Sequence, residues 1–347
     1  MTIHSSERSA WSKRIEVMEG LGDFIEISDR LLQETKYKEQ NNGFEVSEMF
    51  QHEASIKLET ERITSVGILP WLNQRIPIAD EDDKSRGTMR IVWLNRIVGT
   101  NPWECETSKS NQELLLERLE LKRARQLVPD GGIICLPAEY RRSKKQSFAL
   151  STTAHFVLVW THNLVTNSTE VIWSGDDEYV PSPRIRNVLE SQKALARHPM
   201  FMAFVAAIFI SQCTQDAIES IRIEINRVEN RTRHSPFRPL TRPIAVGSYA
   251  SLSAMMSASA TRLAGTETDS RTLRGILDSL SGYQWPQGVE RPEWAEKIIQ
   301  EVVECVAILK QRLKAQENKL RYLSRRADIQ LNAVGHISDC FTAQLGF

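Results

Sequence analysis

The sequence lacks several features that would assign a function directly. Its 44 Lys and Arg residues balance 44 Asp and Glu residues, so the net charge is zero and attracts neither nucleic acid nor anionic lipid. The 5 cysteines include no Cys-x-x-Cys pair, which indicates reduced thiols rather than a disulfide framework or a zinc site. No P-loop, Gly-x-Ser-x-Gly or His-Glu-x-x-His motif occurs. We therefore expect a protein that is not an enzyme, binds no cofactor tightly and binds no nucleic acid.

Long hydrophobic runs are also missing. The longest, Met200–Ile210, would extend about 16 Å as a helix, whereas the hydrocarbon core of a bilayer is about 30 Å thick. The N-terminal residues Met1–Arg14 contain charged side chains and no apolar core, so they do not form a signal peptide. The sequence thus predicts a cytoplasmic chain with no membrane span of its own.

The remaining composition is that of a folded protein, with 41% hydrophobic and 25% charged residues. At about 100–200 residues per domain, the 347 residues of the chain suggest two domains. Shifts in pattern along the chain predict four segments. They are a loosely docked leader at 1–60, a sheet-containing domain at 61–190, a helical region at 191–334 and an irregular tail at 335–347.

Short apolar runs between turn residues predict a sheet. The clearest pair of strands, Phe156–Trp160 and Glu170–Trp173, is joined by the turn formers of Asn163–Ser168, which favours an antiparallel hairpin. We expect an α/β fold of the α+β kind, in which a mixed, largely antiparallel sheet is flanked by helices and followed by long helices ending in an extended stalk helix. Further strands are predicted at Ile63–Leu72, Met89–Leu94 and Phe148–Leu150, and a capping box at Ser110–Glu113 predicts one helix.

Clusters of charge and two histidines are the candidate binding sites in this region. Asp80–Asp83 and Asp176–Glu178 offer the oxygen ligands of a hard cation, but adjacent carboxylates in turns are usually only solvated, and we assign no metal ligand. The basic cluster Arg141–Lys145 lacks the interleaved aromatic residues of a nucleic-acid surface. His155 and His162 lie on opposite faces of a regular strand, because their positions differ by seven, an odd number, so we predict no shared site.

The chain becomes helical after its proline pair at 181–183. One helix is predicted from Pro199 to Val228, and two shorter helices at Tyr249–Leu263 and Thr272–Leu280. The range Glu293–Val334 contains neither Gly nor Pro and predicts the longest helix. At 1.5 Å per residue this helix is about 60 Å long, which exceeds what a domain of this size covers.

Apolar residues of the long helix alternate at spacings of four and three, which is the heptad period of a coiled coil. Gln316 and Gln330 interrupt this pattern. Such a helix either packs once against its own domain or pairs with helices outside it, and its length favours the second arrangement. We therefore predict an oligomer or partner seam, called the seam below, formed by Val302, Val306, Leu309, Leu313, Leu320, Leu323, Ala327 and Val334.

Several of these segments together resemble the soluble portion of the CorA-like divalent-cation transporters of fungi. The stretch Leu320–Asn332 carries most of this resemblance, since the corresponding segment of that family lies on the stalk helix that leads to the first membrane span. The resemblance covers roughly residues 61–334. Its other elements are the Arg90–Leu94 strand, the Ser147–Leu150 segment, the Phe156–Trp173 hairpin and the His198–Pro199 helix start.

The resemblance implies an α/β cytosolic domain, a homo-oligomer that assembles through the stalk, and transport of Mg²⁺ or a related ion. Membrane association is implied if the family's spans exist beyond this sequence. The sequence departs from the family at about Gly335, and it contains no Gly-Met-Asn pore motif, so we do not expect it to transport ions as given. We interpret Gly335–Phe347 as the mark of a truncated form. The alternative is a soluble protein that binds a partner through the long helix.

Overall fold

The computed structural model of the chain contains two compact units. Unit 1 consists of Met1–Val205 with Gln284–Ile299, and unit 2 of Ala206–Tyr283 with Gln300–Phe347. The structure describes residues 36–37, 44–52, 55–64, 66–73, 88–97, 104–105, 115, 133–136, 145–152, 156–176, 183–232, 249–286 and 288–344. The predictions that lie outside these ranges concern Ser110–Glu113, Asp80–Asp83, the basic residues 141–144, His155 and the acidic residues 177–178.

Unit 1 is built on a mixed, mostly antiparallel sheet. The strands are β1 Lys36–Tyr37, β2 Phe44–His52, β3 Ser55–Ile63, β4 Thr88–Ile97, β5 Glu104–Cys105, β6 Ile133–Leu136, β7 Lys145–Ser151, β8 Phe156–Asn163 and β9 Ser168–Asp176. Their order in the sheet is β3-β2-β4-β9-β8-β7-β6, with the short β5 beside the end of β4 and β1 beside β5. Only the β4–β9 and β1–β5 pairs are parallel among the described strands.

The predicted hairpin is confirmed as β8 and β9. The two strands pair from Phe156 opposite Gly175 to Asn163 opposite Ser168. The side chain of Asn163 closes the turn, because its Oδ1 accepts the backbone N–H of Val165 at 2.9 Å. The predicted strands at Met89–Leu94 and Phe148–Leu150 are likewise present, within β4 and β7.

Two predictions about the first strands are wrong. Residues 44–60, predicted as part of the leader, form β2 and most of β3, and β2 pairs with β4. The predicted strand Ile63–Leu72 is interrupted, because β3 ends at Ile63 and helix α1, Ile68–Asn73, follows a turn in which Gly67 N–H donates to Thr64 O at 2.9 Å.

The sheet is covered on both faces, which explains its long apolar strands. One face packs against α1, where Trp71 and Leu72 join sheet residues such as Val159 and Ile172 in one buried cluster. The opposite face carries large buried aromatic side chains. Their ring centroids lie 4.6 Å apart for Phe156 and Trp173, and 5.0 Å apart for Phe148 and Trp160.

The helices after the sheet are longer than the sequence indicated. Tyr249–Leu263 and Thr272–Leu280 belong to one continuous helix, because buried residues such as Thr266 and Ser270 continue its inward face between them. The tail is also not irregular, since the last helix continues through Gly335. The helices are α2 Pro183–Ser191, α3 Phe201–Thr232, α4 Tyr249–Ser281 and α5 Glu293–Gln344. With the sheet, they confirm the α+β fold class.

In unit 2, α3 and α5 run parallel and α4 runs antiparallel to both. Arg326 contacts Glu229, and Gln330 contacts Thr232, so the residue numbers of α3 and α5 rise together. Arg274 of α4 pairs with Glu317 of α5, and Asp278 of α4 pairs with Lys310 of α5. The residue numbers of α4 therefore rise along the contact while those of α5 fall. The three helices thus form a bundle with one shared apolar core.

Helix α3 changes the prediction about membrane spans. Among the described helices it alone is long and apolar enough to cross a bilayer, with a mean hydropathy of 1.4 over its most apolar window. The sequence-based argument stopped at Ile210, whereas the helix continues to Thr232. However, 67% of that window is buried inside the chain, and a core helix of a folded protein is equally apolar.

Candidate interaction surface

Other residues of the same chain cover the seam. All of its residues are buried, and Leu320, Leu323, Ala327 and Val334 share one cluster with apolar side chains of α3 and α4. In the closed bundle the seam offers no free surface to another chain. Its use by a partner or a second copy stays a prediction, and it would require the bundle to open.

The two glutamines that interrupt the seam join α5 to α3. The Gln316 side chain donates from Nε2 to the backbone oxygen of Ser211 at 2.8 Å. The Gln330 Oε1 atom accepts a hydrogen bond from the Thr232 hydroxyl at 2.8 Å. Both glutamines are buried, and a buried amide without a partner is costly. They therefore favour one axial register of the two parallel helices.

Sequence reasoning missed a second apolar stripe on α5, which points away from the seam. Ile308, Tyr322 and Ile329 are exposed by 67%, 61% and 57%, and Ala315 lies between them on the exposed side. Successive members are seven residues apart, so they share one face of the helix. We call these four residues the outer stripe. The spacing of seven was visible in the sequence, but the longer seam concealed it.

Helix α3 borders the outer stripe with a shallow hollow. This hollow has a volume of about 450 Å³ and is lined by Ile223, Asn226, Arg227, Asn230 and Arg231. Ile223 is itself 48% exposed and adds apolar area to the hollow. Together, the hollow and the outer stripe place exposed apolar and basic side chains on neighbouring helices.

Arg326 connects the hollow to the outer stripe. Its Nε donates to Glu229 Oε1 at 2.9 Å, and its Nη2 donates to Asn226 Oδ1 at 2.6 Å. The guanidinium also lies 5.3 Å from the ring centroid of Tyr322. The hydrogen bond to Glu229 raises the pKa of Arg326, so its charge is fixed at every relevant pH. The side chain of Tyr322 thus has a rigid neighbour.

The exposed side of α5 changes from acidic to basic along its length. Glu304 is exposed toward its beginning, whereas Lys319, Arg321 and Arg325 are exposed toward its end. The pKa of the Cys305 thiol reflects the acidic part, because burial and then the charges of Glu301 and Glu304 raise it. This order of charges suits the helix dipole and gives the outer stripe two electrostatically different ends.

Two buried histidines lie near each other in unit 1. His162 Nδ1 is 2.9 Å from the Thr169 hydroxyl, and its Nε2 has no hydrogen-bond partner among the described residues. His198 Nδ1 accepts the backbone N–H of Met200 at 3.0 Å. Burial lowers the pKa of both to about 3, and the charge of His198 contributes to the lowering at His162. Both side chains are therefore neutral at neutral pH.

The described residues hold no group of three or more His, Cys, Asp or Glu side chains arranged to bind a metal ion. Of the acidic cluster Asp176–Glu178, only Asp176 is placed, as the last residue of β9.

Comparisons with known proteins bear on the fold. The chain matches no protein-family model. No curated protein matches its sequence. Among solved structures, that of the full-length CmaX protein aligns with a TM-score of 0.53 at 11% sequence identity, covering 89% of this chain and 82% of the CmaX chain. At this identity the similarity shows a shared fold and carries no ligand or activity from one protein to the other.

Proposed function

We propose that this chain is a cytoplasmic domain of the CorA-like kind, whose assembly responds to Mg²⁺ or a related divalent cation. One observation carries the proposal: the fold of this chain, with its sheet, helical bundle and 52-residue last helix, aligns with that of the full-length CmaX protein over 89% of the chain with a TM-score of 0.53. The family resemblance of Leu320–Asn332 supports the same assignment from the sequence. Ion transport is not part of the proposal, because the Gly-Met-Asn motif is absent.

Self-association belongs to this proposal, since the resemblance implies a homo-oligomer that forms through α5. The exposed side of α5 is the surface available for it, because the seam is occupied within the bundle. Magnesium prefers carboxylate oxygens and keeps several of its waters, so a responsive domain binds it through few side chains and weakly. We therefore expect a response at millimolar concentrations.

The test is the mass of the purified full chain by light scattering, with and without magnesium at millimolar concentration. Sodium chloride at equal ionic strength is the control, because screening alone changes the association of charged surfaces. We expect a mass above that of one chain that rises with magnesium, together with a higher unfolding temperature, since a bound ion stabilises the folded state. An unchanged mass and unfolding temperature would refute the proposal.

A second function is favoured by a specific observation on the bundle surface. The outer stripe and Ile223 expose several large apolar side chains on neighbouring helices, which is the pattern of a helix-binding face. A soluble protein that binds a partner coil through α5 would use this face. Association with another protein, by a chain that remains monomeric alone at high concentration, would favour this function over the first.

A further inference from the structure

The core of unit 2 contains polar side chains at one level of the bundle. Ser211 and Thr214 of α3 are both 1% exposed. With Ile218 and Ile221 they form one inward-facing row, at spacings of three and four residues. Gln316 of α5 lies at the same level, because its Nε2 donates to Ser211 O at 2.8 Å. Two hydroxyls of one helix and an amide of its neighbour therefore share this part of the core.

Helix α4 adds a third hydroxyl. Arg262 Nη2 donates to Ser220 Oγ at 3.0 Å, which fixes the antiparallel register of α4 and α3. Eight residues further along α4, Ser270 therefore lies opposite the turn of α3 that carries the two hydroxyl residues. Ser270 is 3% exposed, and its hydroxyl donates to Thr266 O at 3.0 Å. The Ser270 oxygen can still accept a hydrogen bond, because a hydroxyl has two lone pairs.

Three buried atoms at this level have no hydrogen-bond partner among the residues that the structure describes. They are Ser211 Oγ, Thr214 Oγ1 and Gln316 Oε1. A buried polar atom without a partner destabilises the folded state, and since these atoms do not bond one another, a bridging molecule is required. The other glutamine of the row differs, because Gln330 Oε1 accepts directly from the Thr232 hydroxyl at 2.8 Å.

Water has the hydrogen-bonding capacity that these atoms require. The amide oxygen only accepts, whereas the hydroxyls both donate and accept, so one small molecule that does both can satisfy all of them. Buried waters typically make about three hydrogen bonds. The other inward-facing residues described at this level are uncharged, so a cation would lie there without compensating charge. They are Leu273, Leu313 and Leu320.

We propose that an ordered water molecule is bound in the core of unit 2, where it bridges Ser211 and Thr214 of α3, Ser270 of α4 and Gln316 of α5. The water donates to Gln316 Oε1 and to Ser270 Oγ, and it accepts from the other two hydroxyls. All four of its hydrogen-bonding positions are then used. This site goes beyond the proposed function, because it requires neither a divalent ion nor a second chain.

The first test is the substitution Thr214→Val in the full chain, which removes one hydroxyl and keeps the shape of the side chain. If the hydroxyl binds the water, its loss is expected to raise the unfolding equilibrium constant about fivefold, as measured by urea-induced unfolding. If the hydroxyl is buried without any partner, the same substitution lowers that constant, because it removes an unsatisfied polar group. A lowered or unchanged constant would overturn the proposal.

The second test asks whether Thr214 and Gln316 share the water. Thr214→Val is combined with Gln316→Met, and the joint effect on the unfolding equilibrium constant is expected to be at least about threefold smaller than the product of the single effects. The matched control combines Thr214→Val with Gln330→Met. Gln330 lies 14 residues further along α5, so these two effects should multiply. If both pairs behave alike, the shared water is refuted.

The third test identifies the bound molecule. A crystal structure of the full chain, at a resolution that shows ordered waters, is expected to contain one at about 2.7–3.2 Å from Gln316 Oε1 and from at least one of the hydroxyl oxygens. Unfolding curves in sodium, potassium and tetramethylammonium chloride at equal ionic strength should coincide. Direct bonds among the side chains in place of a water, or higher stability in one of the metal salts, would overturn the proposal. These readouts involve neither magnesium nor association, so they are independent of the response tested above.

Discussion

The hydroxyl of Thr232 donates a hydrogen bond of 2.8 Å to the side-chain oxygen of Gln330, and both residues are buried between α3 and α5. Thr232 is the last residue of α3, and its hydroxyl is also 3.1 Å from the backbone oxygen of Val228. One side chain thus ends a helix and attaches it to its parallel neighbour. With the bond between Gln316 and Ser211, this contact fixes α5 against α3 through buried polar groups.

Thr232→Val is expected to destabilise the chain by about 1–3 kcal/mol, because it keeps the shape of the side chain but leaves the Gln330 oxygen buried without its donor. Urea-induced unfolding measures the change. Thr261→Val is the control, since the Thr261 hydroxyl donates to Ser257 O on the exposed side of α4. Similar losses for both variants would contradict the role assigned to Gln330.

Arg326→Lys is expected to destabilise unit 2 by about 1–2 kcal/mol, because lysine cannot bond Glu229 and Asn226 with two fixed donor atoms at once. The side chains of Arg326 and Glu229 are only 17% and 14% exposed, so solvent screens the pair incompletely. Arg222→Lys, which alters the exposed pair with Glu219, in which both side chains are 49% exposed, should leave the unfolding midpoint unchanged. A midpoint that responds equally to both substitutions would refute this ranking.

Stability is expected to fall as the pH drops below 6.5. The unfolded chain takes up protons on His162 and His198 near pH 6.5, whereas in the folded chain their pKa values are about 3, so acid favours the unfolded state. Each histidine then costs about 2 kcal/mol at pH 5, relative to pH above 7. Unfolding curves between pH 7.5 and pH 5, at roughly 1.4 kcal/mol per pH unit and proton, test this.

The variant His198→Gln provides the comparison for the pH dependence. It removes one of the two titrating groups, and the loss of stability between pH 6.5 and 5 should shrink by about half. A pH dependence that is identical in the variant and the wild type would show that other groups cause it.

Trp160→Phe is expected to cost about 1–3 kcal/mol. The indole Nε1 of Trp160 donates to the backbone oxygen of Pro199 at 2.8 Å, and its ring stacks on Phe148. Phenylalanine keeps most of the stacking but leaves that oxygen without its donor. Trp160→Ala, which also opens a cavity, should cost more, about 3–5 kcal/mol. A Phe variant as unstable as the Ala variant would show that packing alone matters.

The sequence predicted the hairpin of β8 and β9 because both of its signals are local. Apolar residues fill its strands, and turn formers such as Asn163 lie between them. Strand β2 gave no such signal, because polar residues occupy buried positions in it. Ser47 is fully buried, yet it accepts a hydrogen bond from Trp93 Nε1 at 2.8 Å across the sheet. A hydrogen-bond partner 46 residues away satisfies the Ser47 hydroxyl, so this polar residue can be buried, and no local sequence pattern reveals the partner.

The same limit applies to the candidate surface. The period of α5 correctly identified which residues avoid water, but it could not distinguish a partner chain from α3 and α4 as the neighbours that cover them. The outer stripe emerges only after the seam is assigned, because the exposure of Tyr322 and Ile329 depends on where the other helices lie. Its relation to Ile223 depends on the parallel packing of α3 and α5, which no local pattern encodes.

The two buried glutamines of α5 have a mechanical consequence for the bundle. Gln316 is bonded to Ser211 and Gln330 to Thr232, so an axial shift of α5 along α3 would break both of these bonds at buried amide side chains. Smooth sliding of one helix past the other is therefore unfavourable, and any movement has to proceed in whole steps between positions that satisfy both amides. A force applied along α5 would be held until it exceeds this threshold, so the bundle behaves as a latch rather than as a spring.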